Sequence, residues 1–129
     1  MPYITTDHVA RIRKEIKTAF PDFKFSIRRE HHSSVRITIL SAPIQLLVGL
    51  RDIRTNEIEY PQRGYTTVNH FYVKEHYKDH PEVRDVLLKI VDIMMKENKE
   101  ESYDSDYGYI PEYYCHLQIG EWNKPFEVK

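Results

Sequence analysis

The residues of this chain able to do chemistry are seven histidines, a single cysteine and an acidic stretch rich in tyrosine. His76 and His80 stand four apart, a spacing that places two imidazoles on one helix face, where they can share a metal ion. Pro81 follows directly and pushes His80 away from helical geometry. Tyr77, not Glu, follows His76, so the zinc-protease arrangement is absent. His31 and His32 fall in a polar connection and would titrate near neutral pH with no neighbour to exploit it. Asp104-Ser105-Asp106-Tyr107-Gly108 opens like a calcium loop, but Tyr109 and Cys115 occupy the positions where an EF-hand needs Gly and Glu. Cys115 and His116 are neighbours on an alternating segment, so they point to opposite faces and His116 does not serve as a base for the thiol. The chain has no Gly-rich phosphate loop, G-x-S-x-G, zinc ribbon or pair of carboxylates in an apolar setting. No catalytic, metal or cofactor residues are therefore assigned, and an enzyme is disfavoured. Tyr103, Tyr107, Tyr109, Tyr113 and Tyr114 gather beside the acidic stretch. They read either as an interface, where tyrosine is enriched, or as half-buried packing at a sheet end.

The elements that position these groups follow from periodicity. Thr5, Thr6 and Asp7 can cap a helix start. Val9, Ile12, Ile16, Ala19 and Phe20 then recur at three and four, and Pro21 ends the helix. Arg11, Arg13, Lys14 and Lys17 fall largely outside that stripe. The period next changes to two. Phe23, Phe25 and Ile27 alternate with Lys24, Ser26 and Arg28, and Val35, Ile37 and Ile39 alternate with Arg36 and Thr38. This predicts an antiparallel hairpin whose connection, Arg29 to Ser34, lacks the glycine of a tight two-residue turn. Ile44 to Leu50 is apolar and undecided between strand and helical turn. Arg51 to Gly64 reads as a long loop, and Tyr65 to Val73 as a strand. Asp79 or His80 can cap a second helix with Pro81 at its first position. Val83, Val86, Leu87, Ile90, Ile93 and Met94 are its apolar stripe. Glu100 to Pro111 reads as an acidic loop. In the last strand Tyr113, Cys115, Leu117 and Ile119 face one way, and Tyr114, His116 and Gln118 the other. Trp122 and Phe126 are expected to pin the tail to the body. The fold class is α+β in the order α-β-β-β-α-β: an antiparallel sheet of about four strands with two amphipathic helices on one face. Lys24, Ser26, Arg28, Arg36, Thr38, Tyr114, His116 and Gln118 would lie on the other.

At 129 residues the chain suits one domain, 1–129, large enough to hold a core without disulfides. One cysteine excludes an intramolecular disulfide and fits a reducing, cytoplasmic setting. The start lacks a signal-peptide core, and no apolar run approaches the ~20 residues of a membrane helix. Net charge is −1, which by itself points to no polyanion. Its distribution is uneven. Residues 1–29 hold seven Lys/Arg against three acids, while residues 91–129 hold four Lys against nine Asp/Glu. These are either two surfaces of opposite sign able to bind partners, or solvated faces that meet across the fold.

One resemblance adds context. Tyr3-Ile4-Thr5-Thr6-Asp7-His8-Val9-Ala10, Ile12-Arg13, Ala19-Phe20-Pro21-Asp22-Phe23-Lys24-Phe25-Ser26-Ile27-Arg28 and Ser33-Ser34-Val35 together resemble the large polyvalent protein-associated domain numbered twenty-nine. Val68-Asn69-His70-Phe71-Tyr72-Val73 and Gly120-Glu121-Trp122-Asn123-Lys124-Pro125-Phe126 are similar to stand-alone relatives. The chain departs from the pattern at His31 and His32, where glycines are usual, and after the second strand, where only Pro43 remains of a Trp-Thr-Asp-Gly-type turn. The resemblance carries no site residues. It implies an accessory protein of a bacterial mobile element or phage. The expected function is a non-enzymatic protein-interaction module with a protein partner and no membrane partner. Its alternative is a nucleic-acid-binding accessory protein using the basic helix and hairpin. The residues carrying either surface are Arg11, Lys14, Lys17, Arg28, Arg36, Tyr107, Tyr109 and Tyr114.

Overall fold

The computed structural model describes residues 3–52, 54–61, 63–98, 100–104, 108–111 and 113–129, the stretches 100–104 and 108–111 as backbone. The first helix, α1 (Thr6–Ala19), starts where the sequence places it. Thr5 is its N-cap, and the Thr5 hydroxyl accepts a hydrogen bond from the His8 N–H at 3.0 Å. Val9, Ile12 and Ile16 are buried along one face. Strands β1 (Lys24–Glu30) and β2 (Ser34–Ala42) form the expected antiparallel hairpin.

The connection between them is His31 to Ser33, three residues long, so it is not a tight two-residue turn, in keeping with its lack of glycine. His31 and His32 sit at φ 53° and 61°, and the Ser33 N–H donates to the Glu30 carbonyl at 3.2 Å. Positive φ at both residues is what a primed turn demands. A side chain there costs about 1–2 kcal/mol per residue. The conformation is held by its surroundings: the His32 carbonyl accepts from Ile4 N at 2.9 Å, and the Ser33 carbonyl from Tyr114 N at 2.8 Å. Replacing either histidine with glycine removes that strain, partly offset by a looser unfolded chain. His31→Gly and His32→Gly are each expected to raise stability by roughly 0.5–1 kcal/mol. Urea midpoints at or below wild type in both variants would refute this.

The rest of the chain forms β3 (Leu50–Arg51), β4 (Ile58–Glu59), β5 (Thr66–Val68), α2 (Val73–His76), α3 (Pro81–Met95), β6 (Glu100–Asp104), β7 (Gly108–Pro111), β8 (Tyr114–Ile119) and β9 (Glu127–Val128). The main sheet runs β1-β2-β8-β5, with β9 alongside the end of β2. The class is α+β. The sheet is mixed, because β8 pairs parallel to β2 while β1–β2 and β5–β8 are antiparallel. Parallel neighbours need a long crossover, and the segment containing β3 to β7 and both later helices provides it. Helices α1 and α3 pack on each other and on the sheet, α1 against β1 and α3 against β8. Between helices and sheet lie Ile27, Val35, Ile37, Ile39, Leu87, Ile90, Cys115, Leu117 and Ile119, all buried.

Other segments differ in detail. Asn69 ends β5 early: its side-chain oxygen accepts from Phe71 N at 3.1 Å and its carbonyl from Tyr72 N at 3.0 Å. Such a turn offers the backbone an alternative to the sheet ladder. Ile44 to Gly49 has no regular structure, yet buries Leu46 fully. The stretches read as loops contain the small β3–β4 and β6–β7 antiparallel pairs.

Candidate functional site

The sheet face turned away from α1 and α3 is polar, because side chains alternate across each strand. Cross-strand register aligns three rows on it. Glu30, Ser34 and Tyr114 form one row, Arg28, Arg36 and His116 the next, and Ser26, Thr38, Gln118 and Thr67 the third. Arg28 directly opposes Arg36, a like-charge pair that is unfavourable unless balanced. Two carboxylates balance it. Arg36 Nε donates to Glu30 Oε1 at 2.6 Å and Arg36 Nη1 to Gln118 Oε1 at 2.9 Å. Arg28 Nη2 donates to Glu121 Oε1 at 3.1 Å, and the buried Thr38 hydroxyl donates to the same oxygen at 3.1 Å. The hydrogen bond from Arg36 holds the Glu30 carboxyl below the usual carboxylate range. His70, half-buried at the β5 end of this face, is pushed below the usual histidine range by burial and then by the charge of His116.

Three aromatic side chains rim the face. Tyr114 is 48% exposed and Phe71 74%. The Phe71 ring lies 4.1 Å from that of His70. At the opposite end Trp122 is 79% exposed. It stands at the tip of a tight turn closed by mutual backbone bonds between Glu121 and Lys124 at 2.9 and 3.1 Å. Gly120 aims this turn. Its φ is +73°, and a Cβ there would lie 2.5 Å from the Gly64 carbonyl oxygen and 2.8 Å from Phe126 N, so no other residue fits. Phe126 is buried and anchors the tail; Trp122 does not, contrary to expectation. A tryptophan is read from sequence as core, and nothing in the chain marked this one for display.

The basic residues chosen from sequence are not brought together. Arg28 and Arg36 lie on the open face, while Arg11, Lys14 and Lys17 lie on α1 across the sheet. Arg11 faces Glu97 at 3.4 Å. Lys14 and Lys17 line a shallow cleft of about 380 Å³ with Ala10, Arg13 and Thr18. Arg13 has a further duty: its Nη2 donates to the outward carbonyl of Ile27 at 2.7 Å, which blocks the free edge of β1. Tyr107 lies outside the described residues, and Tyr109 belongs to β7, described there as backbone. Glu30, His70, Phe71, Glu121 and Trp122 were not read from sequence as site residues. Their signal is tertiary, apart from the alternation that puts Glu30 in phase with Arg28.

The remaining candidates separate. His76 ends α2, whereas His80 precedes α3 and its Nε2 lies 2.7 Å from the Gly49 carbonyl, so the pair does not share a helix face. Among the described residues no three His, Cys, Asp or Glu side chains converge as a metal site. Cys115 is buried, and burial raises its thiol to about 12 from an ordinary value of 9.0, against a weak Asn98 contact at 3.6 Å. A thiol raised this far is protonated and unreactive at neutral pH. Tyr77 is raised by burial to about 12 as well. Both groups stay protonated in the native state while the unfolded chain ionises. Their contribution is therefore complete below the unfolded values of 9.0 and 10.0 and is lost as pH rises from there through the folded values of about 12. Native protein at pH 8 is expected to resist a thiol-reactive disulfide reagent until denaturant is added, and to lose stability progressively above about pH 9. Immediate labelling of folded protein would contradict the burial.

No helix among the described residues is long and apolar enough to cross a membrane. Comparison with curated proteins and with solved structures finds no match to this chain. The family described as large polyvalent protein associated domain 29 matches residues 3–110, well past the first third that carries the clearest motifs and into β7. A match over that share of the sequence, spanning α1, the β1–β2 hairpin and α3, means that the chain belongs to the large polyvalent protein associated domain 29 family.

Proposed function

We propose that this chain is a non-enzymatic protein-interaction module, an accessory domain of a bacterial mobile element or phage acting in the cytoplasm, and that its partner docks on the open sheet face. The observation that carries this reading is Trp122, 79% exposed on a rigid turn at the rim of a polar face. Tryptophan dominates binding hot spots because it buries a large area at little entropic cost. Glu30, Arg36, Gln118, Glu121 and Arg28 are already tied to one another, so the face is preorganised and little ordering is lost on docking. Strand addition is disfavoured, since Arg13 occupies the β1 edge and β5 is three residues long.

The test compares wild type with Trp122→Ala, both immobilised and washed with host lysate. Truncating a hot spot costs about 2 kcal/mol or more, roughly thirtyfold in affinity. The expected result is a discrete protein retained by wild type and lost from the variant. Equal retention by both, or none by either, would remove the reading. Trp122 is the one tryptophan of the chain, so its emission reports docking directly once a partner is in hand.

A further inference from the structure

We propose that the cleft on the outer side of α1, lined by Ala10, Arg13, Lys14, Lys17 and Thr18, is a docking site for the phosphodiester backbone of nucleic acid. This goes beyond the open-face reading and does not rest on it, because the sheet and its core lie between the two surfaces.

Several cations of the fold are met by carboxylates. Arg11 faces Glu97, Lys96 faces Glu15, Arg28 faces Glu121, Arg36 faces Glu30 and Arg51 faces Asp79. Such pairs leave little net field for an external anion. The α1 cleft gathers cations without acids: three of its five lining residues are cationic and none is acidic. Glu15, the acid of the same helix turn, is drawn to Lys96 at 2.9 Å. Neither Lys14 nor Lys17 forms an ion pair within the described residues, and both are exposed.

Spacing and shape favour a backbone ligand. Arg13 and Lys17 stand one helical turn apart, roughly 5–6 Å between Cβ atoms, so they can meet successive phosphates along a strand. Ala10, one turn before Lys14, leaves the floor of the cleft open. Arg13 is half-buried and fixed by its 2.7 Å bond to the Ile27 carbonyl, with the remaining N–H donors of its guanidinium left for an oxyanion. The Thr18 hydroxyl donates to the Lys14 carbonyl at 2.9 Å, tying down the last turn. No aromatic residue lines the cleft to stack on a base, so recognition is of phosphate and independent of sequence.

Fluorescence anisotropy of a labelled DNA duplex of about 20 base pairs, titrated with the whole protein over about 20–200 mM salt, tests this. Three phosphate contacts predict a log–log salt slope near −3 and weak affinity, with Kd on the order of 10 μM at low salt. Lys14→Glu with Lys17→Glu should weaken binding at least about tenfold, and Ala10→Glu should do so by filling the cleft with an acid. Lys74→Glu with Lys78→Glu, both exposed and elsewhere, carries the same charge change and should stay within about twofold of wild type. Circular dichroism confirms that each variant is folded. Absence of binding at the lowest salt overturns the proposal, as does equal loss in the Lys74/Lys78 variant. Displacement by poly-glutamate as effective as by unlabelled duplex also overturns it, since the cleft would then take acidic protein.

Discussion

A chain ended after Ile110 is expected not to fold, although that is where the family match ends. The reason lies in the order of the sheet. Strand β8 sits between β2 and β5, and among the described residues β5 has β8 as its strand partner and no other. Ending at residue 110 exposes the inner edge of β2 along six paired positions, Ser34 to Ile39. It also removes Tyr113, Cys115, Leu117, Ile119 and Phe126, all buried in the common core. At roughly 1.5–3 kcal/mol for each large apolar side chain buried, the loss is on the order of 10 kcal/mol. That rivals the whole stability of a domain this size, about 5–15 kcal/mol. The truncated chain should show no cooperative thermal transition by circular dichroism and should elute as aggregate on gel filtration. A monomer with a sharp melt would show that the last nineteen positions are dispensable and that the parallel β2–β8 pairing is not the spine of the sheet. The structural unit extends beyond the matched region to the strand that closes it.

The second large effect is expected at Asn98, a residue in no regular element. Its side-chain nitrogen donates to the Tyr113 carbonyl at 2.8 Å, and its oxygen accepts from the Tyr113 N–H at 3.3 Å. The Tyr113 hydroxyl donates to the Met94 carbonyl at 2.6 Å, inside the last turn of α3. The Tyr113 ring is 1% exposed and meets the His8 ring edge-on at 4.9 Å. This cluster joins the end of α3, the start of β8 and the first turn of α1. Asn98→Ala leaves two buried backbone groups of Tyr113 without these partners and should cost about 2–3 kcal/mol. Tyr113→Phe removes one hydroxyl bond and leaves the Met94 carbonyl short, at about 1–2 kcal/mol. Since both act on one joint, the double variant should lose less than the sum. Urea denaturation measures all three. An Asn98→Ala cost under about 0.5 kcal/mol, the range of ordinary surface changes, would sink the assignment of Asn98 as the clamp.

Local elements were legible in the sequence wherever a backbone rule acts alone. Thr5 caps α1 and Pro21 follows its end, the alternation from Phe25 to Ile39 set which hairpin side chains face the core, and Pro81 opens α3. Strand partners were not legible. Pairing depends on which remote strand completes a ladder, and alternation reads the same in parallel and antiparallel neighbours. The positive φ at His31 and His32 escaped for a related reason: glycine normally announces it, and here contacts from Ile4 and Tyr114 accompany it instead.

The candidate surfaces divide in the same way. Composition located the basic residues in the first helix and hairpin, and alternation placed Arg28, Arg36, His116 and Gln118 on one polar face. Which of those charges are already neutralised was decided by Glu30, Glu97 and Glu121, two of them more than eighty residues distant from the arginine they meet. By itself the sequence determined an α+β domain of this family, with a basic helix and an uncovered polar sheet face. The class, the basic helix and the polar face follow from periodicity and charge along the chain, and the family from the motifs of its first third and the match over residues 3–110. The tertiary structure alone decided that Trp122 is displayed, that Lys14 and Lys17 keep their charge unpaired within the described residues, and that the sheet closes through β8. Exposure and ion pairing are set by which distant segments meet in space, and a linear pattern does not encode those meetings.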